Sequence, residues 1–240
     1  MITLYQFAPA FGLPNPSSFC VKVETYLRMV GLDYVLDNDS KINRSPKEKL
    51  PFIVDDGATI GDSSLILNYL NQKYDCDLDK HLTTAQQAQL LSTKMLIEEH
   101  LYWVVVYSRW IDPVGWESIQ SAFFSDLPPI VRSVVPKLVQ GKITKQLYAQ
   151  GIGRHTPEEI YEFAKQDIDA IATLLGNQTY FMGDKPTSLD AIAFGMLCNL
   201  LWFPGEVPVT TMTRRHQNLV DYSGRMLNQY FPEFKSVLQS

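Results

Sequence analysis

Three cysteines in 240 residues, at positions 20, 76 and 198, are too few and too scattered for a disulfide framework. The N-terminal MITLYQF has neither a basic stretch nor a small-residue cleavage site, so no secretory leader is expected. Both observations suit a reducing, cytoplasmic setting. Histidine is also scarce: His81, His100, His155 and His216 form no i,i+3 or i,i+4 pair with each other or with a cysteine, so no metal site is expected. No apolar run approaches the roughly 18 residues that span a bilayer, which argues against a transmembrane segment. No lysine/arginine block stands out, and 21 basic against 26 acidic residues leave a net charge of −5, which argues against a nucleic-acid partner. Internal repeats and low-complexity tracts are absent as well.

What remains is an ordinary globular balance, 45% hydrophobic and 20% charged, in a chain long enough for one or two domains. Residues 2–7 read as a strand, and Phe19, Val23, Tyr26, Leu27 and Val30 recur at helical spacing before the stop signal Gly31. DYVLD (33–37) reads as a second strand and PFIV (51–54) as a third, with Asp55-Asp56-Gly57 a hairpin turn into ATIG. Asp62-Ser63-Ser64 then opens a helix (LILNYLNQKY), giving a βαβ-ββα order within residues 1–75. A polar, aperiodic linker is expected at 76–83 and an all-helical region over 84–240. In that region one long pattern covers 84–111, shorter helices are expected between 130 and 150, and a last helix at about 213–230. Thr156-Pro157-Glu158-Glu159 and Thr187-Ser188-Leu189-Asp190 read as capping boxes that open helices.

Three stretches of the first 75 residues could carry chemistry. Ser17 precedes a helix whose unpaired N–H groups and dipole would stabilise a thiolate, although a serine there is more simply a helix cap. Leu50-Pro51 opens a buried strand. A cis bond would leave the Leu50 N–H and C=O free for an extended ligand, yet only about 5–6% of such bonds are cis. Asp62-Ser63 stands between strand and helix, where hydroxyl and N–H groups suit a carboxylate or serve as a cap.

Occurring together in one βαβ-ββα unit followed by helices, these signals resemble the glutathione transferase superfamily over essentially the whole chain. The resemblance implies a thioredoxin-like α/β N-terminal domain and an all-α C-terminal domain. FAPAFGLPNPSSFCVKVETYLRM, KLPFI, DSSLILNYL, EEHLYWVVVYSRW and GRHTPEEI are most similar to the metaxin and failed-axon-connections branch. By that likeness Leu50 and Pro51 pair with the cysteinyl backbone of glutathione, and Asp62 and Ser63 hold its γ-glutamyl end. The 187–190 box, in PTSLDAIAFG, would be structural.

Such an enzyme must keep the glutathione sulfur ionised, and Ser17 is the first candidate, with Ser18 one residue away and Tyr5 in the first strand as alternatives. Ser-x-x-Cys lacks the outer cysteine of a redox pair, and Cys20 falls on the inward face, so disulfide exchange is disfavoured. Glu99, Tyr102, Trp103, Val106 and Trp110 share one helix face, on which Tyr102, Trp103 and Val106 would meet a hydrophobic co-substrate unless the stripe is core. Arg109 and His100 read as surface or interdomain residues. The loop APAFGLPNP (8–16) exceeds the usual strand-to-helix link of about 2–6 residues and is expected to wall the pocket. The expected function is a cytoplasmic, homodimeric glutathione transferase acting on a small hydrophobic electrophile. A non-catalytic scaffold of the metaxin kind and a hydrophobic-ligand carrier are the alternatives.

Overall fold

The computed structural model describes residues 1–39 and 42–239. Strand β1 (Ile2–Tyr5) alternates buried and half-buried side chains, the period-two pattern of a strand with one core face. It is followed by α1 (Ser18–Val30), β2 (Tyr34–Asp37), β3 (Phe52–Asp55), β4 (Ala58–Gly61) and α2 (Ser63–Tyr74). The sheet order is β2-β1-β3-β4, with β1 parallel to β2 and antiparallel to β3, and β3 antiparallel to β4. This mixed sheet with its helices is the thioredoxin-like arrangement read from the sequence. The β3–β4 turn places both Asp56 (φ 48°) and Gly57 (φ 84°) in the left-handed region, which the Asp-Gly pair tolerates. Ile2, Leu4, Val23, Tyr26, Leu27, Ile53, Ile66 and Leu70 form the core between sheet and helices.

The second domain contains α3 (Thr84–Met95) and α4 (Tyr102–Trp110), joined without a break by a π-helical turn at Leu96–Leu101. The long helix expected over 84–111 is thus present, but widened by one turn in its middle. It continues with α5 (Pro113–Phe124), α6 (Pro129–Gln150), α7 (Pro157–Leu175), α8 (Ser188–Leu201), α9 (Pro208–Arg214) and α10 (Gln217–Tyr230). Shorter helices were expected at 130–150; instead α6 runs unbroken through Pro136, which is buried. The last helix expected at about 213–230 is α10, with the short α9 ahead of it.

Every residue of α8 is buried, so this helix has no polar face. Its start is fixed by Asp190, whose carboxylate accepts from Thr187 N–H (2.8 Å), Thr187 Oγ1 (3.0 Å), Phe181 N–H (2.9 Å) and Tyr222 OH (3.1 Å). The same helix crosses α1 at Gly195. A Cβ there would lie 2.5 Å from the Ser18 carbonyl oxygen, so only glycine lets the two backbones approach this closely.

Candidate functional site

A cleft of about 590 Å³ opens where the two domains meet. The first domain contributes Phe7, Ser17, Phe19, Leu50, Pro51, Asp62, Ser63 and Ser64, and the long helix contributes Lys94, Glu98, Glu99, Tyr102 and Trp103. Ile42, Lys47, Glu48 and Lys49 complete the rim, so the lining carries both signs of charge.

Ser17 caps α1: its Oγ accepts from Cys20 N–H at 3.4 Å, and its own N–H donates to Asn15 Oδ1 at 3.0 Å. An oxygen that accepts in this way keeps its proton for another partner. Ser18 is turned away, donating its hydroxyl to Met196 Sδ at 3.6 Å under α8. Tyr5 does not line the cleft; its ring stacks on Phe52 at 4.3 Å. Cys20 is fully buried, and burial pushes its thiol up to about 12 although the Ser17 hydroxyl and Phe7 N–H pull the other way. A thiol held neutral there is no nucleophile.

The Leu50–Pro51 bond is cis. Pairing of β1 with β3 stops at Tyr5 opposite Phe52, and among the described residues no partner engages the Leu50 N–H or C=O. Asp62 (φ 83°) caps α2, its Oδ1 accepting from Ser64 N–H at 2.9 Å and Leu65 N–H at 3.1 Å. Ser63 is buried against the cleft floor.

On the helical side Tyr102 and Trp103 meet edge to face at 5.4 Å, and Phe19 meets Tyr102 at 5.0 Å. Val106 is not with them. It lies one turn (about 5.4 Å) further along α4, in the core that also holds Leu13 and Val21 from the first domain. Trp110 likewise turns to Trp116, at 5.9 Å between rings.

Among the groups the sequence reading passed over is the buried pair Lys22 and Glu98. Lys22 is buried with its ammonium 2.5 Å from Glu98 Oε1, 2.9 Å from Ser63 Oγ and 3.1 Å from Ser64 Oγ. Burial lowers its pKa, and the Glu98 carboxylate opposes that. The available signal was a charge on an apolar face: position 22 is three residues after Phe19 and four before Tyr26.

The loop 8–16 does not wall the cleft; only its flanks, Phe7 and Ser17, do. Leu13 is buried in the helical core, and Phe11 packs edge-on against Phe203 and Phe123 at 5.3 and 5.6 Å. Arg109 donates to the Pro16 carbonyl (2.7 Å) and to the Asn199 carbonyl and Oδ1 (2.7 and 2.9 Å), while Asn199 Nδ2 donates to the Asn15 carbonyl at 3.2 Å. Apolar side chains in a long loop sought the nearest core, which belongs to the other domain. Arg109 is therefore interdomain and buried; the half-exposed His100 pairs with Asp167 at 2.6 Å.

Known proteins match this arrangement. Family models described as the glutathione S-transferase N-terminal and C-terminal domains match residues 18–115 and 164–226. The isoprene-epoxide glutathione S-transferase of Rhodococcus sp. (strain AD45) is 36% identical over 96% of this chain and 99% of its own. Failed axon connections of Drosophila melanogaster is 36% identical over 99% of this chain, which spans 60% of that longer protein. Mouse metaxin-1 is 29% identical over 95% of this chain and 75% of its own. Among solved structures, the beta-etherase of Sphingobium sp. strain SYK-6 superposes with a TM-score of 0.65 at 15% identity, covering 99% and 98% of the two chains. With the thioredoxin-like sheet, the helical second domain and these relatives in agreement, the chain belongs to the glutathione S-transferase superfamily, in its metaxin-like branch.

Proposed function

We propose that the cleft binds glutathione and that Ser17 holds the glutathione sulfur as a thiolate for attack on a small electrophile. The observation that carries this reading is that the cleft is open, and that Ser17, Leu50, Pro51, Asp62 and Ser63 all border it with the aromatic pair Tyr102 and Trp103 opposite. A peptide lying along the free edge of Leu50 would exchange backbone hydrogen bonds with it, and its γ-glutamyl end would reach Asp62 and Ser63. The sulfur would then lie near the start of α1.

A free thiol of pKa about 8.5 is only a few per cent ionised at neutral pH, and lowering it by about two units takes roughly 2.7 kcal/mol. The α1 dipole supplies about 0.5–1 kcal/mol of that and a hydrogen bond from the Ser17 hydroxyl the remainder. The thiolate attacks an electrophilic carbon, a C–S bond forms as the leaving bond breaks, and the displaced group takes a proton from solvent. Because a relative is named as an isoprene-epoxide glutathione S-transferase, epoxides are the first substrates to try. For Ser17→Ala we expect kcat/KM to fall about 30-fold at pH 7 and to recover as pH rises toward the free thiol pKa. Absence of glutathione binding at millimolar concentration refutes the reading.

Homology to metaxin-1 and to an Arabidopsis thaliana protein named as part of a mitochondrial outer membrane import complex favours a second reading, a scaffold without turnover. Glutathione binding with no conjugation of any epoxide supports that alternative. Active material is proposed to be a cytoplasmic homodimer. Large apolar side chains in solvent on α3 (Leu91, Met95) support pairing, and light scattering of the purified chain tests it.

A further inference from the structure

The buried lysine under the cleft floor fixes the direction of two hydroxyl protons. An ammonium group has three protons and no lone pair, so it can only donate. Lys22 has three oxygen partners: Ser63 Oγ, Ser64 Oγ and Glu98 Oε1, at 2.9, 3.1 and 2.5 Å. Each serine oxygen therefore accepts from below and is left with a proton to donate. Among the described residues neither hydroxyl has an acceptor of its own, and both serines border the cleft. The neighbouring N–H groups of Ser64 and Leu65 are already engaged by Asp62 Oδ1.

Charge works in the same direction. Glu98 is shared between Lys22 and Lys94, whose Nζ is 3.7 Å from Oε2, so two cations face one carboxylate beneath the serines. On the cleft side the lining also holds the carboxylates of Asp62, Glu48 and Glu99, of which Asp62, beside the serines, is turned to its own helix.

We infer that Lys22 and Glu98 are a positioning pair that presets Ser63 and Ser64 as twin hydroxyl donors, making this end of the cleft a carboxylate subsite. This deepens the glutathione reading, on which it rests, by assigning a role to residues that do not touch the ligand. Without the lysine nothing fixes the rotation of either hydroxyl, and each is free to turn its proton away from the cleft. Carboxylate affinity then falls although both serines remain.

The test uses the full chain with Lys22→Met and with Lys22→Met/Glu98→Gln, the second of which leaves no unpaired buried charge if the first fails to fold. Calorimetry compares glutathione with its analogue amidated at the γ-glutamyl carboxylate. Wild type is expected to prefer the carboxylate about tenfold, the equivalent of one charge-assisted hydrogen bond, and the double variant to bind both alike. Glutathione KM should rise about tenfold with kcat unchanged, because Lys22 touches no reacting atom. A double variant that keeps the preference, or that loses kcat at constant KM, overturns the inference. If wild type binds no glutathione, the transferase reading falls, and glutarate followed by chemical shifts at the start of α2 decides the inference alone. Shifts that vanish in the double variant support it; equal shifts, or none in wild type, overturn it.

Discussion

Replacing Asp190 by alanine should destabilise the protein out of proportion to the few atoms removed. The carboxylate joins three segments: the turn at Phe181, the cap at Thr187 and helix α10 through Tyr222. Tyr222 OH also donates to the Asp190 carbonyl at 3.2 Å, and the Thr187 hydroxyl can rotate, so two of the four donors keep an outlet. The N–H groups of Phe181 and Thr187 do not. Each buried, unsatisfied N–H costs about 1–3 kcal/mol, so the pair costs up to about 6 kcal/mol. Removing a buried charge returns some of its desolvation, leaving a net loss of about 4 kcal/mol. With an unfolding entropy near 2.1 cal/mol/K per residue, 240 residues give about 0.5 kcal/mol/K, so Tm should fall about 8 °C. Thermal melts and urea titrations, both followed by circular dichroism, measure this. A variant melting within 2 °C of wild type, on the roughly 2–4 °C per kcal/mol scale for this size, would refute the claim that the carboxylate locks α8 in place.

Gly195→Ala should cost about 2–3 kcal/mol and weaken glutathione binding, since α1 must yield to a Cβ 2.5 Å from the Ser18 oxygen. The control Gly141→Ala, in open space on α6, should leave stability equal or slightly higher. Under native conditions at pH 8 a disulfide reagent should modify Cys76 alone, with Cys20 and Cys198, both pushed up to about 12 by burial, reacting only on unfolding. A folded pKa raised from the ordinary 9.0 to about 12 gives stability that is whole below pH 9 and lost as pH rises toward 12, so Cys20→Ala should flatten the alkaline decline seen in urea midpoints. Arg109→Met should orphan three oxygens, cost about 3 kcal/mol, and speed amide exchange selectively in residues 8–17.

The parts of the fold that sequence foretold are those decided within a few residues. Asp56-Gly57 dictates its turn, Gly31 (φ 68°) stops α1 where the apolar spacing ends, and Thr187 and Asp190 meet three residues apart. What escaped depends on partners far along the chain. Glu98 lies 76 residues from Lys22, so nothing local announced that a lysine on an apolar face would be neutralised there. Val106 keeps the spacing of Tyr102 and Trp103, but spacing gives a face and not a depth, and the first domain covers that end of the helix. Phe11 and Leu13 read as loop because prolines and glycine surround them; their destination was a core assembled from residues beyond position 100.

That loop carries a consequence for how variants of this protein will behave. Ser17 inherits its place from Asn15 and Pro16, whose carbonyls are gripped by Asn199 and Arg109. The serine at the start of α1 is therefore aimed by the opposite domain. Chimeras that join this first domain to a foreign helical partner would preserve every cleft residue of the βαβ-ββα unit and still present the serine unaimed. On the proposed reading, substitutions at the far end of α4 or in α8, remote from the cleft, would register as defects in thiol ionisation. In heredity as in engineering, the two halves of this chain can change only together.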